Sequence, residues 1–211
     1  MLPNQVTRSL LGYGVIAGPF YVTVSLAQAF TREGFDVTRH AWSLLSNGGL
    51  GWIQITNFVL TGLMVIAAAV GLHRALPSSP WVGRLVGVYG ASLVAAGALR
   101  ADPGLGFPAG TPDGPGTVSW HGIGHFAAGG VGFLCVIAAC LVMGRRFARD
   151  GRRGLAVYSL VSGVLFLAGF VGIASGNSAP GFTLGFVAAV LVIWAWLVTV
   201  SVHLYRATPN C

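Results

Sequence analysis

Residues 118–143 read VSWHGIGHFAAGGVGFLCVIAACLVM. No acidic side chain, lysine or arginine interrupts the stretch, and its length exceeds the roughly 20 residues a helix needs to cross a hydrocarbon layer. Five further apolar runs flank it, over residues 10–30, 53–72, 81–99, 155–175 and 182–205. Only 8% of the 211 residues are charged, against about a quarter in soluble domains, so the chain lacks the charge to keep a water-facing surface wet. Six spans leave short loops and no room for a second soluble domain. The expectation is an all-α fold, a polytopic transmembrane bundle of about six helices, in a single domain over residues 1–211. Gly18-Pro19 in the first run predicts a kink that neighbouring helices must accommodate. Ala27-Gln28-Ala29 at its end looks like a signal-peptidase site, but the run is long for a signal peptide and is read as a retained helix.

All twelve basic residues are arginine, and the net charge is +7. A basic balance can serve nucleic acid, but these arginines sit at the ends of apolar runs, where they set membrane topology. No nucleic-acid partner is expected. Arg8, Arg74, Arg84, Arg145, Arg146, Arg149, Arg152, Arg153 and Arg206 share one side, and Arg32, Arg39 and Arg100 the other. The positive-inside rule puts the larger group, with both termini, in the cytoplasm of a multi-pass cell-membrane protein. Glu33, Asp36, Asp102 and Asp113 then lie on the outer side, together with His40, His121 and His125. Cys135 and Cys140 fall inside an apolar run and Cys211 is the last residue, so no disulfide is expected. The span faces offer no strong dimer motif.

The outer polar residues are where chemistry would sit. His121 and His125 are four apart at the start of the fourth span, which places both rings on one helix face. A helix N-terminus favours neutral imidazole, the form that a metal or a general base requires. Asp102 follows the third span, and Asp36, Arg39, His40 and Ser43 share the first outer loop. Three readings compete. One is a divalent-metal site, zinc for example, from His121, His125 and either Asp102 or His40. A second is metal-free chemistry, with Asp102 and a histidine as acid and base and Ser43 as nucleophile. The third is structural, a polar network that locks the outer loops onto the bundle. Arg39 and Arg100 either hold an anionic head group or pair with Asp36 and Asp102, and pairing is favoured by their closeness in sequence. Asn57 either faces the same cavity or makes a helix–helix hydrogen bond. Trp42, Trp52, Trp81 and Trp120 read as interfacial anchors, with pocket lining as the alternative for Trp42 and Trp120. His73 and His203 raise haem ligation, but helix C-termini account for them more simply. The glycines at 129, 130, 132, 163, 169 and 172 are expected to allow close helix packing.

His40-Ala-Trp-Ser43-Leu, then Gly51-Trp52-Ile-Gln54 and Asn57-Phe58, resemble the signature that follows the first helix of the DUF998 family. Asp102-Pro103 and Gly124-His125 are similar to its other recurrent points, and the resemblance covers most of the chain. It implies a six-helix membrane protein, implies no established activity, and singles out Ser43, Asn57, Asp102 and His125. A more distant likeness, in residue types alone, is to the zinc-dependent membrane hydrolases related to alkaline ceramidase, which have a different helix count. Together these readings lead to a membrane-embedded enzyme acting on a lipid-like or isoprenoid-like molecule near the outer face. Asp102 and His125 would carry a cyclisation, isomerisation or hydrolysis, with Asp36 as a further proton donor. The other classes are a non-catalytic module that binds lipid or a partner, and a haem or quinone redox protein.

Overall fold

A computed structural model of the chain describes residues 3–114, 116–177 and 179–209; Cys211 lies outside the described residues. Six helices follow one another: α1 (Pro3–Thr31), α2 (Gly51–Ala75), α3 (Pro80–Ala98), α4 (Trp120–Arg149), α5 (Arg153–Ala174) and α6 (Pro180–Ala207). All six are long and apolar enough to cross a membrane, and among the described residues no strand forms. A short 3-10 turn, Trp42–Ser46, interrupts the α1–α2 loop.

Several helices extend past the apolar runs that mark them. α1 begins at Pro3 and continues unbroken past Gly18-Pro19. α4 runs through Arg145 and Arg146 to Arg149, so the expected basic loop shrinks to a tight turn before Arg153. Hydropathy marks the part of a helix in hydrocarbon, whereas backbone hydrogen bonding carries it on into water. Arginines in the last turn of α4 are favoured there by the helix dipole, and Arg146 also pairs with Asp150 at 3.5 Å.

Helices adjacent in sequence pack side by side, and α1 also packs on α6, closing a ring. The connections α2–α3, α4–α5 and α5–α6 are short, which makes those neighbours antiparallel. Small residues let the backbones meet. A β-carbon at Gly62 of α2 would run into the Gly90 carbonyl of α3, and one at Gly14 of α1 would overlap the Ser201 hydroxyl of α6. Among the glycines expected to mediate packing, Gly132, Gly163, Gly169 and Gly172 do touch neighbouring helices, whereas Gly129 meets nothing within 4 Å. The arginine-rich end is tied by side chains: Arg8 donates to the Thr208 carbonyl at 3.1 Å, Arg74 to Thr7 at 3.0 Å, and Arg146 to Ser78 at 2.6 Å.

A buried polar seam joins α1 to α2. Gln54 Oε1 accepts from Gln28 at 2.8 Å and from Asn57 at 3.2 Å, and Gln54 Nε2 donates to Ser25 at 3.3 Å. Asn57 also donates to Ser25 and to the Tyr21 carbonyl, and accepts from Thr61. With no water in hydrocarbon, these amides must satisfy one another. Asn57 is therefore a helix–helix bond and not a cavity group. Gln54→Leu removes the shared acceptor and leaves two buried amides short of a partner, at a cost of about 1–2 kcal/mol. Thermal unfolding in detergent is expected to shift down by several degrees; an unchanged midpoint would show that the seam does not hold α1 to α2.

Candidate functional site

The two loops at the arginine-poor end are built on backbone contacts. In the α1–α2 loop, Asp36 Oδ1 accepts from the Thr38 amide at 2.8 Å and from its hydroxyl at 2.7 Å. These two bonds, with lesser help from the Arg39 charge, hold the Asp36 carboxyl below its usual range. His40 is 2% exposed. Its Nδ1 accepts from the Asp36 amide at 2.9 Å, and its Nε2 lies 2.9 Å from the Leu105 carbonyl in the α3–α4 loop. One ring nitrogen must accept and the other must donate, so the ring is neutral and carries its hydrogen on Nε2. Phe35 and Phe107 pack against the same ring. Arg32 completes the clasp, donating to the Leu45 and Asn47 carbonyls and lying over Phe107. His40 thus fastens one loop to the other and has no nitrogen left for a metal or a substrate.

The α3–α4 loop is closed at both ends by reciprocal capping. Ser119 is the N-cap of α4, and its hydroxyl accepts from the Gly122 amide at 3.1 Å. The same hydroxyl donates to Asp102 Oδ1, and the Ser119 amide donates to Asp102 Oδ2 at 2.7 Å. His121 Nδ1 lies 2.7 Å from the Ser119 oxygen. The serine's one hydrogen is on the carboxylate, so His121 Nδ1 is the donor. A β-carbon at Gly122 would overlap the Asp102 carboxylate. Partial burial opposes the charge on Asp102, but the two Ser119 bonds, with His121 and His125 nearby, hold its carboxyl below the ordinary value. In the other direction, His125 of α4 reaches back to α3. Its Nδ1 lies 2.9 Å from the Ala96 carbonyl and 2.8 Å from the Leu99 carbonyl. Carbonyls only accept, so Nδ1 carries a hydrogen, and in the neutral ring the lone pair is on Nε2.

Above the ring's centre lies a cavity of about 700 Å³. Every helix contributes an aromatic ring to its wall: Tyr21, Phe58, Tyr89, Phe133, Phe170 and Trp194. Gly129 and Gly130 line it too; Gly129 meets no neighbour and so makes room, whereas a β-carbon at Gly130 would touch Phe170 at 3.6 Å. At the mouth stand Arg39, Ser43, Asp102 and His125.

The expected site residues therefore divide. Asp102, His125, Ser43, Arg39 and Trp42 reach the cavity; Asp36, His40, His121, Asn57, Trp120 and Arg100 do not. Trp42 is no interfacial anchor, since it is buried and packs on Tyr21. Trp120, Trp52 and Trp81 are largely exposed, as anchors would be. Arg39 pairs neither with Asp36 nor with Asp102, both engaged elsewhere, but with Asp113 at 3.8 Å. Arg100 is exposed. His203 packs edge-on against Phe147, and His73 is exposed. Among the described residues no three His, Cys, Asp or Glu side chains gather as a metal-binding set. His121 and His125 share a helix face, but one imidazole turns to Ser119 and the other to α3. Sequence reasoning passed over Ser119, whose place before an apolar run beginning Trp-His-Gly is an N-cap signal. It also passed over Tyr89, Phe133 and Trp194, which no local pattern separates from core.

Two outcomes follow from the loops. His40→Leu is expected to raise amide exchange in residues 32–47 and 103–114 while the spans stay protected, and equal exchange in both proteins would remove the clasp. For Asp102, the depressed carboxyl gives stability that is full above the ordinary value of about 3.9 and lost as pH falls through the lower folded value. Wild type is expected to unfold at a higher temperature than Asp102→Asn near neutrality, with the gap closing below about pH 4. A gap independent of pH would assign the effect to something other than the charge.

Comparison with curated proteins and with solved structures returns no match. The family model described as a protein of unknown function, DUF998, matches residues 15–203. With the match spanning nearly the whole ring from α1 to α6, the chain belongs to the DUF998 family.

Proposed function

We propose that this protein takes a lipid-like or isoprenoid-like molecule into the cavity at the arginine-poor end of its helix ring. The observation that carries the reading is the cavity itself. Its volume of about 700 Å³ falls within the roughly 300–1,000 Å³ of small-molecule sites, and its wall is aromatic and aliphatic with a few polar groups at the mouth. An apolar chain would lie among Tyr89, Phe133 and Trp194, with the polar end near His125, Ser43 and Arg39. The arginine distribution supports an extracytoplasmic mouth.

One observation favours a catalytic version of this reading. The two α3 carbonyls hold His125 Nδ1 as the donor, which leaves Nε2 as a base in the wall of a largely apolar cavity, the arrangement general acid–base catalysis uses. Metal-assisted hydrolysis has less support, because the imidazoles at 121 and 125 are directed to different partners.

Occupancy is tested by filling the space. A β-carbon at Gly129 meets no neighbour, so Gly129→Phe projects a ring into the cavity without displacing the helices. Wild-type protein purified in mild detergent is expected to carry a co-purifying apolar molecule, seen by mass spectrometry of the organic extract, that Gly129→Phe largely lacks. Equal extracts from both proteins would remove the cavity as the binding site. The catalytic version has its own test in His125→Asn, whose amide nitrogen can keep the α3 carbonyls capped while the base at Nε2 is lost. Thermal stability is expected to hold while turnover falls by about 100-fold or more. Membrane lipid extracts that are identical with and without the substitution would leave binding alone.

A further inference from the structure

The mouth of the cavity carries two formal charges, Arg39 and Asp102, and they are not equally available. Both Asp102 oxygens accept hydrogen bonds from Ser119, and His121 stands 3.9 Å from one of them. Arg39 is held far more loosely. Its ion pair with Asp113 is a single contact at 3.8 Å, its side chain is 44% exposed, and that of Asp113 is 90% exposed. Exposed pairs of this kind contribute little and exchange readily. The other arginines of this end are placed differently: Arg32 is engaged by two carbonyls, and Arg100 is exposed and outside the lining.

We infer that the molecule taken up is an amphiphile with an anionic head, a phosphate, diphosphate or carboxylate, and that Arg39 binds that head by exchanging Asp113 for it. The inference rests on the cavity being the lipid-binding site proposed above. A guanidinium presents a planar fork of donors that matches a carboxylate or phosphate with two bonds, where Asp113 now makes one long contact. The first turn of α4 lines the same mouth through Gly122 and Ile123. Asp102 already accepts two hydrogen bonds from the cap of α4, so it is a less available counter-ion for a cationic head than Arg39 is for an anionic one. Arg39 belongs to the α1–α2 loop and Asp113 to the α3–α4 loop, so the exchange unties one cross-loop contact at the mouth and leaves the His40 clasp intact.

The test uses purified protein in neutral detergent with three probes, farnesyl phosphate, farnesol and inorganic phosphate, read by quenching of the tryptophans that line the cavity and by calorimetry. Farnesyl phosphate is expected to bind at least about tenfold more tightly than farnesol, the scale of one charged hydrogen bond. Arg39→Gln is expected to erase that difference while farnesol affinity stays the same, and Asp113→Asn to tighten the phosphate alone. Equal binding of phosphate and alcohol by wild type, or a preference that survives Arg39→Gln, overturns the anionic-head inference and leaves the cavity reading standing. Competition by inorganic phosphate at equal concentration overturns the amphiphile and makes Arg39 a plain anion site. If neither prenyl compound binds wild type, the cavity reading itself fails and the inference falls with it.

Discussion

Where a helix ends at the edge of a hydrocarbon layer, its last carbonyls and the next helix's first amides have little water to turn to. Between α3 and α4 that problem is solved reciprocally. His125, one turn into α4, donates to the carbonyls that end α3. Asp102, just beyond α3, takes the hydroxyl and the amide of the residue that caps α4. Each helix supplies what the other's terminus lacks, and the loop between them can be long and irregular because its two ends are pinned together. The geometry at the cavity mouth descends from this exchange, since the same bonds that close the helix ends place His125 and Asp102 on the wall.

The ring and the cavity are two sides of one packing pattern. Small residues draw the helices together at Gly62 with Gly90 and at Gly14 with Ser201, and the α1–α2 seam adds amide hydrogen bonds that hydrocarbon makes obligatory. At the cavity, a small residue has the opposite effect. Gly129 faces open space, and large aromatic rings from all six helices surround the cavity without filling it. The closed ring of helices surrounds the cavity, and both clasped loops contribute to its lining through Arg39 and Leu105.

Helix number and type were legible because hydrophobic runs of this length have one stable form in lipid, and the six spans followed from counting. Their ends were not, because hydropathy changes where the hydrocarbon stops while the hydrogen-bond ladder continues, as α4 does through Arg146. At the mouth, the sequence placed Asp102, His125, Ser43 and Arg39 on the right end of the molecule. It did not reveal that His40 was occupied on both nitrogens, because its partners are the main-chain amide of Asp36 and carbonyl of Leu105, and backbone groups leave no trace in residue identity. The pairing of Arg39 with Asp113 was hidden for a related reason. Proximity in sequence favoured Asp36 and Asp102, yet Thr38 and Ser119 supply neutral donors to those carboxylates at shorter range.

Assigning a partner to each polar group narrows what the arginine-poor end can do. Asp36 is satisfied by Thr38, His40 by two backbone atoms, Ser119 by Asp102 and Gly122, and Asn57 by the α1–α2 seam. A cluster that looks like catalytic machinery in sequence is in large part the fastening of two loops and two helix ends. Among the groups at the mouth, Nε2 of the neutral His125 ring keeps its lone pair while Nδ1 serves the α3 carbonyls, and the ion pair of Arg39 is a long contact to an exposed carboxylate. A neutral base and an exchangeable cation above an apolar chamber are complementary to a molecule with an apolar body and a polar, negatively charged end. That complementarity, more than the number of acids and histidines, is the reason to look for function in the cavity and not in the loops above it.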